Sequence, residues 1–239
     1  EHSAALKQER EKERIKRQLT DNINHELKTP VASIRVCLET LLTHPYLSRE
    51  KREAFLKRSF TNIDRLSKLL ADVALITRMT EGGDAIARSR VDLTSLIIDT
   101  IQDCRPAAQR AEIEIKMDIE RELKMRGNAQ LLTSVFHNLI DNAIAYSGGS
   151  EICISVKQAN TKRCTLTVSD NGTGVDPVHL PRIFERFYRV DKGRSRAAGG
   201  TGLGLSIVKN AVLLHDGKIS VENRPTGGLL FTITFPLVY

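Results

Sequence analysis

LTDNINHELKTPVASIRVCLETL, residues 19–41, places its apolar side chains at Leu19, Ile23, Leu27, Val31, Ile34, Leu38 and Leu41. Steps of four and three residues draw one narrow stripe along a long amphipathic helix. A second run repeats the pattern at Leu56, Phe60, Ile63, Leu66, Leu70, Val73 and Ile76. Between them lies THPYLSRE, residues 43–50, where Pro45 ends the first helix and Ser48 is placed to cap the second. Two antiparallel helices bury too little alone. The stripe therefore predicts a hairpin that completes its core against a second copy, as a dimeric four-helix bundle.

Beyond the hairpin the periodicity changes. EGGDAIARSR, residues 81–90, is polar and carries two glycines, which reads as a linker. From Val91 the pattern is mixed α/β, with helices expected at 93–108, 130–146 and 204–214. Strands are expected at 113–119, 152–156, 165–168, 218–221 and 229–235. The expected organisation is a helical hairpin over 1–80, a linker over 81–90 and a second domain over 91–239.

Composition sets wide bounds. The 239 residues are 41% hydrophobic and 27% charged, ordinary values for a globular protein. No window of 18 uninterrupted apolar residues suggests a membrane span, and EHSAALKQER lacks the apolar core of a signal peptide. Its helical composition without an initiator Met reads as part of something longer. Cys37, Cys104, Cys153 and Cys164 are scattered without a CxxC pair, so reduced buried thiols are expected. The net charge of +7 favours acidic partners, but basic and acidic residues alternate, as in KQEREKERIKR. No nucleic-acid motif accompanies that charge, and no nucleic-acid partner is expected.

His25-Glu26-Leu27-Lys28-Thr29-Pro30 occupies the middle of the first helix. His25 lies two positions from the stripe residue Leu27, about 200° around the helix, and should face solvent. Thr29 is one turn further on the same face, and Glu26 is the adjacent carboxylate. Pro30 removes the amide that would bond the Glu26 carbonyl, which should bend the helix. A lone surface histidine is usually unremarkable. An exposed imidazole beside a proton-accepting carboxylate and a same-face hydroxyl is suited to nucleophilic chemistry near pH 7.

Four further motifs follow in order. HNLIDNA, residues 137–143, sets Asn138 and Asn142 one turn apart, two amide oxygens suited to Mg²⁺ among phosphates. DNGTG, residues 170–174, places Asp170 directly after a strand, with Gly172 and Gly174 letting backbone come close. FERFYR, residues 184–189, precedes a basic run to Arg196. GGTGLG, residues 199–204, opens a helix, whose first amides suit a phosphate. No strand precedes it and no GxxxxGK[ST] occurs, which excludes the Rossmann and P-loop fingerprints.

NHELKTP resembles the H-box of the sensor histidine kinases of two-component systems. The four later motifs resemble, in order, the N, G1, F and G2 boxes of that family's ATP-binding domain, shared with Hsp90-type chaperones and gyrase-type ATPases. The resemblance spans about Gln18 to Tyr239. It implies an α plus α/β protein, with an α/β-sandwich ATP-binding domain of the Bergerat, or GHKL, type following the hairpin. It further implies ATP and Mg²⁺ as cofactors, a homodimer, and the receiver domain of a response regulator as partner. His25 would be the phospho-acceptor, Glu26 its base, and Thr29 the residue orienting water for dephosphorylation of the partner. Asp170 would bind the adenine amino group, with Gly172 and Gly174 beside it. Asn142 would ligate Mg²⁺ with help from Asn138, and Tyr146 would pack on the adenine. Arg189 and Arg196 would belong to the lid over the phosphates, and Gly200, Thr201, Gly202, Leu203 and Gly204 to the wall beneath. The family commonly has Lys just before the tyrosine, where this chain has Ala145, implying one phosphate contact fewer. A membrane-bound sensor would precede the chain, which would be its cytoplasmic kinase portion. A scaffold without catalysis would show damage at His25, Asn142 or Asp170, and none is damaged. A chaperone or topoisomerase fragment would not need the exposed histidine.

Overall fold

The computed structural model describes residues 2–81, 86–119, 121–160, 162–191 and 200–237. Two compact units result, one built on the residues up to Ala71 and the other on most of the chain from Asp72 onward.

Two long helices dominate the first unit, α1 (His2–Thr43) and α2 (Arg49–Glu81). The turn closes through Leu47 N–H to the His44 carbonyl at 3.3 Å, and Ser48 Oγ accepts from Lys51 N–H at 3.4 Å as the expected cap. Asn62 Nδ2 donates to Ser33 Oγ at 3.3 Å and Arg65 meets Glu26, so later α1 residues face earlier α2 residues, as in an antiparallel hairpin. α1 runs through Pro30 without interruption, and Pro30 is buried.

The seam between the helices is not centred on the apolar stripe. Cys37, Ser59 and Leu69 are buried, while Val31, Leu38, Leu56, Ile63 and Leu70 stay exposed. Phe60 is 66% exposed and Leu42 83%. One helix can cover only part of its neighbour's stripe, so the remainder faces outward.

In the second unit, β1 (Ser89–Asp92) pairs antiparallel with β3 (Lys124–Gly127). The main sheet has five strands in the order β2 (Glu114–Asp118), β4 (Glu151–Ala159), β5 (Arg163–Asp170), β7 (Leu229–Pro236), β6 (Lys218–Asn223). The β2–β4 pair is parallel and the others antiparallel. Helices α3 (Leu93–Arg110), α4 (Ala129–Tyr146) and α5 (Gly204–Leu214) complete the unit, α4 packing on both α3 and α5. Alternate β7 residues are buried, and Phe136, Ile140, Ile152, Ile154, Ile207, Ile233 and Phe235 lie in the core. Side-chain caps fix the starts of α3 and α4, Asp92 accepting from Ser95 N–H and Asn128 from Leu131 N–H, each at 3.0 Å. This is a sheet with helices packed against it, as expected of the α/β sandwich. The short β1 and β3 pair was not expected from the sequence.

Candidate functional site

In the first unit His25 is exposed, as its helix position predicts. Glu26 turns instead toward α2, where Arg65 Nη2 lies 2.7 Å from its Oε2. Both side chains are largely buried, so this ion pair is held by packing as well as charge. Thr29 is exposed, and its hydroxyl donates to the His25 carbonyl at 3.4 Å, a long contact that a ligand could displace. The unit thus presents an imidazole and a hydroxyl to solvent, with a fixed carboxylate next in sequence.

In the second unit the end of β5 carries the acidic motif. Asp170 is 5% exposed, and its Oδ1 accepts from Gly172 N–H at 2.9 Å. Oδ2 accepts no hydrogen bond among the described residues, leaving an acceptor for a ligand donor. Arg224 Nη1 donates to the Asp170 main-chain carbonyl at 2.7 Å, fixing the strand end. A Cβ on Gly172 would stand 2.0 Å from the Ser147 carbonyl, and one on Gly228 would stand 2.1 Å from that of Asp170. Thr173 N–H donates to the Ser147 carbonyl at 3.0 Å. The loop thereby lies directly against the C-terminal end of α4, beside Tyr146, which is half-buried. Gly174 has φ +69°, and a Cβ there would meet Asn223 Oδ1 at 2.5 Å.

α4 supplies the amides. Asn138 Nδ2 donates to the Ser134 carbonyl at 2.8 Å, and its Oδ1 points at the start of α5, 2.6 Å from where a Gly204 Cβ would sit. Asn142 is half-buried, and its amide has no hydrogen-bond partner among the described residues. These hard, neutral oxygens fit Mg²⁺ carried on a polyphosphate better than they fit a soft metal. His215 braces the same helix from below. Its Nδ1 bonds the Ala211 carbonyl at 2.6 Å, and its Nε2 accepts from Asn128 N–H at 2.9 Å. That pattern requires a neutral ring, and burial holds His215 below its ordinary pKa.

Near the phosphate motifs, Phe187 has φ +62°, and its N–H donates to the Gly202 carbonyl at 2.8 Å. Gly202 has φ +76°, and a Cβ there would stand 3.0 Å from Phe187 Cα and 3.2 Å from Arg189 Nε. Leu203 and Thr201 are buried, Gly200 is half-buried, and Gly204 opens α5. Phe184 packs edge-on against Phe231. Arg196 lies outside the described residues.

The structure therefore brings Asp170, Gly172 and the end of α4 together, and sets Asn138 against Gly204. Arg65, Arg224, Gly228 and His215 were missed by sequence reasoning. Only the Gly227-Gly228 pair, a turn signal, could have pointed to one of them.

An exposed histidine on a helical hairpin, followed along the chain by a sheet domain with a glycine-lined acidic loop, is the arrangement of the histidine-kinase class. Residues 15–82 match the His Kinase A (phospho-acceptor) domain. Residues 127–239 match the histidine kinase-, DNA gyrase B- and HSP90-like ATPase family. The chain belongs to the sensor histidine kinases of two-component systems. It is 36% identical over 226 residues to the sensor-like histidine kinase SenX3 of Mycobacterium tuberculosis, covering 94% of this chain and 54% of that protein. The chain thus spans about half the length of that relative. Its fold is similar to Acinetobacter baumannii histidine kinase AdeS, with TM-score 0.72 and 21% identity over 90% of this chain and 98% of that one. It is similar also to histidine kinase ThkA, solved in complex with the response regulator protein TrrA, with TM-score 0.73, 22% identity and coverage of 96% and 64%.

Proposed function

We propose that this chain is an ATP-dependent protein-histidine kinase that phosphorylates His25 and passes the phosphoryl group to an aspartate of a response-regulator receiver domain. The carrying observation is the exposed His25 imidazole, followed in sequence by a carboxylate that a second helix holds in place. One ring nitrogen attacks the γ-phosphorus, the bond to the β–γ bridging oxygen breaks, and ADP leaves with that electron pair. Glu26 takes the imidazole proton. Asp170 reads the adenine amino group, and Tyr146 packs on the ring. Gly172, Gly174, Arg189, Arg196 and residues 200–204 surround the nucleotide. Asn142 and Asn138 would hold Mg²⁺, which would offset phosphate charge. Thr29 orients the water that dephosphorylates the partner.

The working unit is a homodimer through the hairpin, supported by the outward apolar face of Leu42 and Phe60. The proposed division is a phosphotransfer hairpin over 1–80, a linker over 81–90 and a catalytic domain over 91–239. Among the described residues no helix is long and apolar enough to cross a membrane. Attachment to a membrane would come through a sensor segment outside this chain. ThkA, solved with its response regulator, supports the choice of partner class.

The test is incubation with γ-labelled ATP and Mg²⁺. Label that is acid-labile and alkali-stable, and absent from His25→Gln, supports the reading. Label that persists in His25→Gln rejects it.

A further inference from the structure

Among the described residues one cluster of three side chains offers thiol, imidazole and carboxylate ligands together: Cys104, His137 and Asp141. Cys104 lies in α3, and the other two lie one turn apart on α4. One ligand atom from each falls within 4.8 Å of the other two. His137 Nδ1 and Asp141 Oδ2 are already 3.3 Å apart. Ligand atoms at ordinary zinc bond lengths, about 2.0–2.3 Å and tetrahedral, stand roughly 3.3–3.7 Å from one another. Closing the set on an ion therefore needs about 1 Å of side-chain movement.

The surroundings suit capture from solvent. Cys104 is buried and forms the floor, while the His137 and Asp141 side chains are 45% and 32% exposed. A cation can enter from outside, keep a water in a fourth position and bind the sulfur beneath. The donor set of one thiolate, one imidazole and one carboxylate is borderline-soft, which selects zinc over magnesium or calcium. It is also distinct from the nucleotide residues. Asn138 and Asn142 follow His137 and Asp141 by one position each, so they project about 100° further around α4.

The geometry points to a zinc-class divalent metal site that joins α3 to α4 through Cys104, His137 and Asp141. An ion there ties the helix carrying Asn138 and Asn142 to its neighbour, on a face about 100° around α4 from those two amides.

The test uses the chain stripped of metal with a chelator, titrated with Zn²⁺ and separately with Co²⁺. One Zn²⁺ should bind per chain and raise the melting temperature. Co²⁺ should give a near-ultraviolet sulfur-to-metal charge-transfer band. Cys104→Ser should abolish the band, and His137→Gln should weaken Zn²⁺ binding by at least about tenfold. His137 is half-exposed, so its variant stays informative if Cys104→Ser fails to fold. Absence of saturable Zn²⁺ binding in the unsubstituted chain would overturn the site, as would unchanged affinity in His137→Gln or a band that survives Cys104→Ser.

Discussion

Arg65 on α2 and Glu26 on α1 meet at 2.7 Å, so the carboxylate beside His25 is held from the opposite helix across 39 positions of sequence. Such a contact fixes where the carboxylate proposed as proton acceptor sits. Arg65→Ala should cost about 1.5–3 kcal/mol of stability, the range for a hydrogen bond to a charged group. It should also slow autophosphorylation. In a double-mutant cycle with Glu26→Gln the two losses should be strongly non-additive, because both remove one unit. Losses that add would show that Arg65 acts apart from Glu26.

Thr29 and Glu26 should divide the labour. The Thr29 hydroxyl makes only a long contact to its own helix, so Thr29→Ala should leave stability within about 0.5 kcal/mol. It should keep much of the autophosphorylation and lose dephosphorylation of the partner, since a hydroxyl can position a water in line with phosphorus. Glu26→Ala should chiefly slow the kinase step. Both rates, measured on each variant with a receiver domain, decide between this division and equal losses.

The glycines around Asp170 make a graded prediction. At Gly228, φ is +87° and a Cβ would collide with the Asp170 carbonyl. Gly228→Ala should cost at least about 1–3 kcal/mol and weaken ATP binding together with folding. Gly148 also has a positive φ but nothing within 4 Å, so Gly148→Asn should be nearly neutral. Melting curves and calorimetry with ATP compare the two. Equal effects would mean that conformation, not contact with Asp170, governs this loop.

Acid should loosen the second unit through His215. Its pKa is lowered in the folded protein, first by burial, so below about pH 6.5 the unfolded chain binds a proton that the folded chain resists. Stability is full above that pH and falls as pH drops through the window beneath it. His215→Leu should flatten that part of the stability profile. It should also lower stability at neutral pH by about 1–3 kcal/mol, because Asn128 N–H loses its acceptor. Melting temperature against pH for both proteins is the measurement, and parallel profiles would remove His215 from the explanation.

The outward stripe predicts the assembly. Phe60→Glu combined with Leu42→Glu should shift the chain from dimer to monomer in light scattering at micromolar concentration, while leaving helix content largely intact. A dimer of unchanged mass would place the interface elsewhere.

Much of this architecture could be read in the sequence because its carriers are local. The helix stripes, the turn at Pro45 and Ser48, and the five main strands are patterns within one segment. β1 and β3 were not visible: SRVD and KMRG are four residues each, polar and without alternation. Contacts between distant residues were equally hidden. Nothing near Glu26 announces Arg65, and nothing near Asp170 announces Arg224, because side-chain pairing across a fold leaves no spacing to detect. The stripe predicted the hairpin but not its seam, since a helix with more apolar surface than one neighbour covers does not say which part goes inside. Cys104 shows the same limit, being an ordinary buried thiol until α3 is laid beside α4.

The loop around Asp170 is held largely by main-chain contacts. Ser147 and Asp170 present carbonyls, Gly172 and Thr173 present amides, and Gly228 allows the closest approach. Peptide groups are the same whatever residue carries them. Substitutions that keep the few glycines and the one carboxylate should therefore leave the shape of this loop intact. An inhibitor that packs against that loop and donates to the open Asp170 Oδ2 would meet a shape that single substitutions elsewhere have little means of altering. One that leans on side chains at the rim would invite escape.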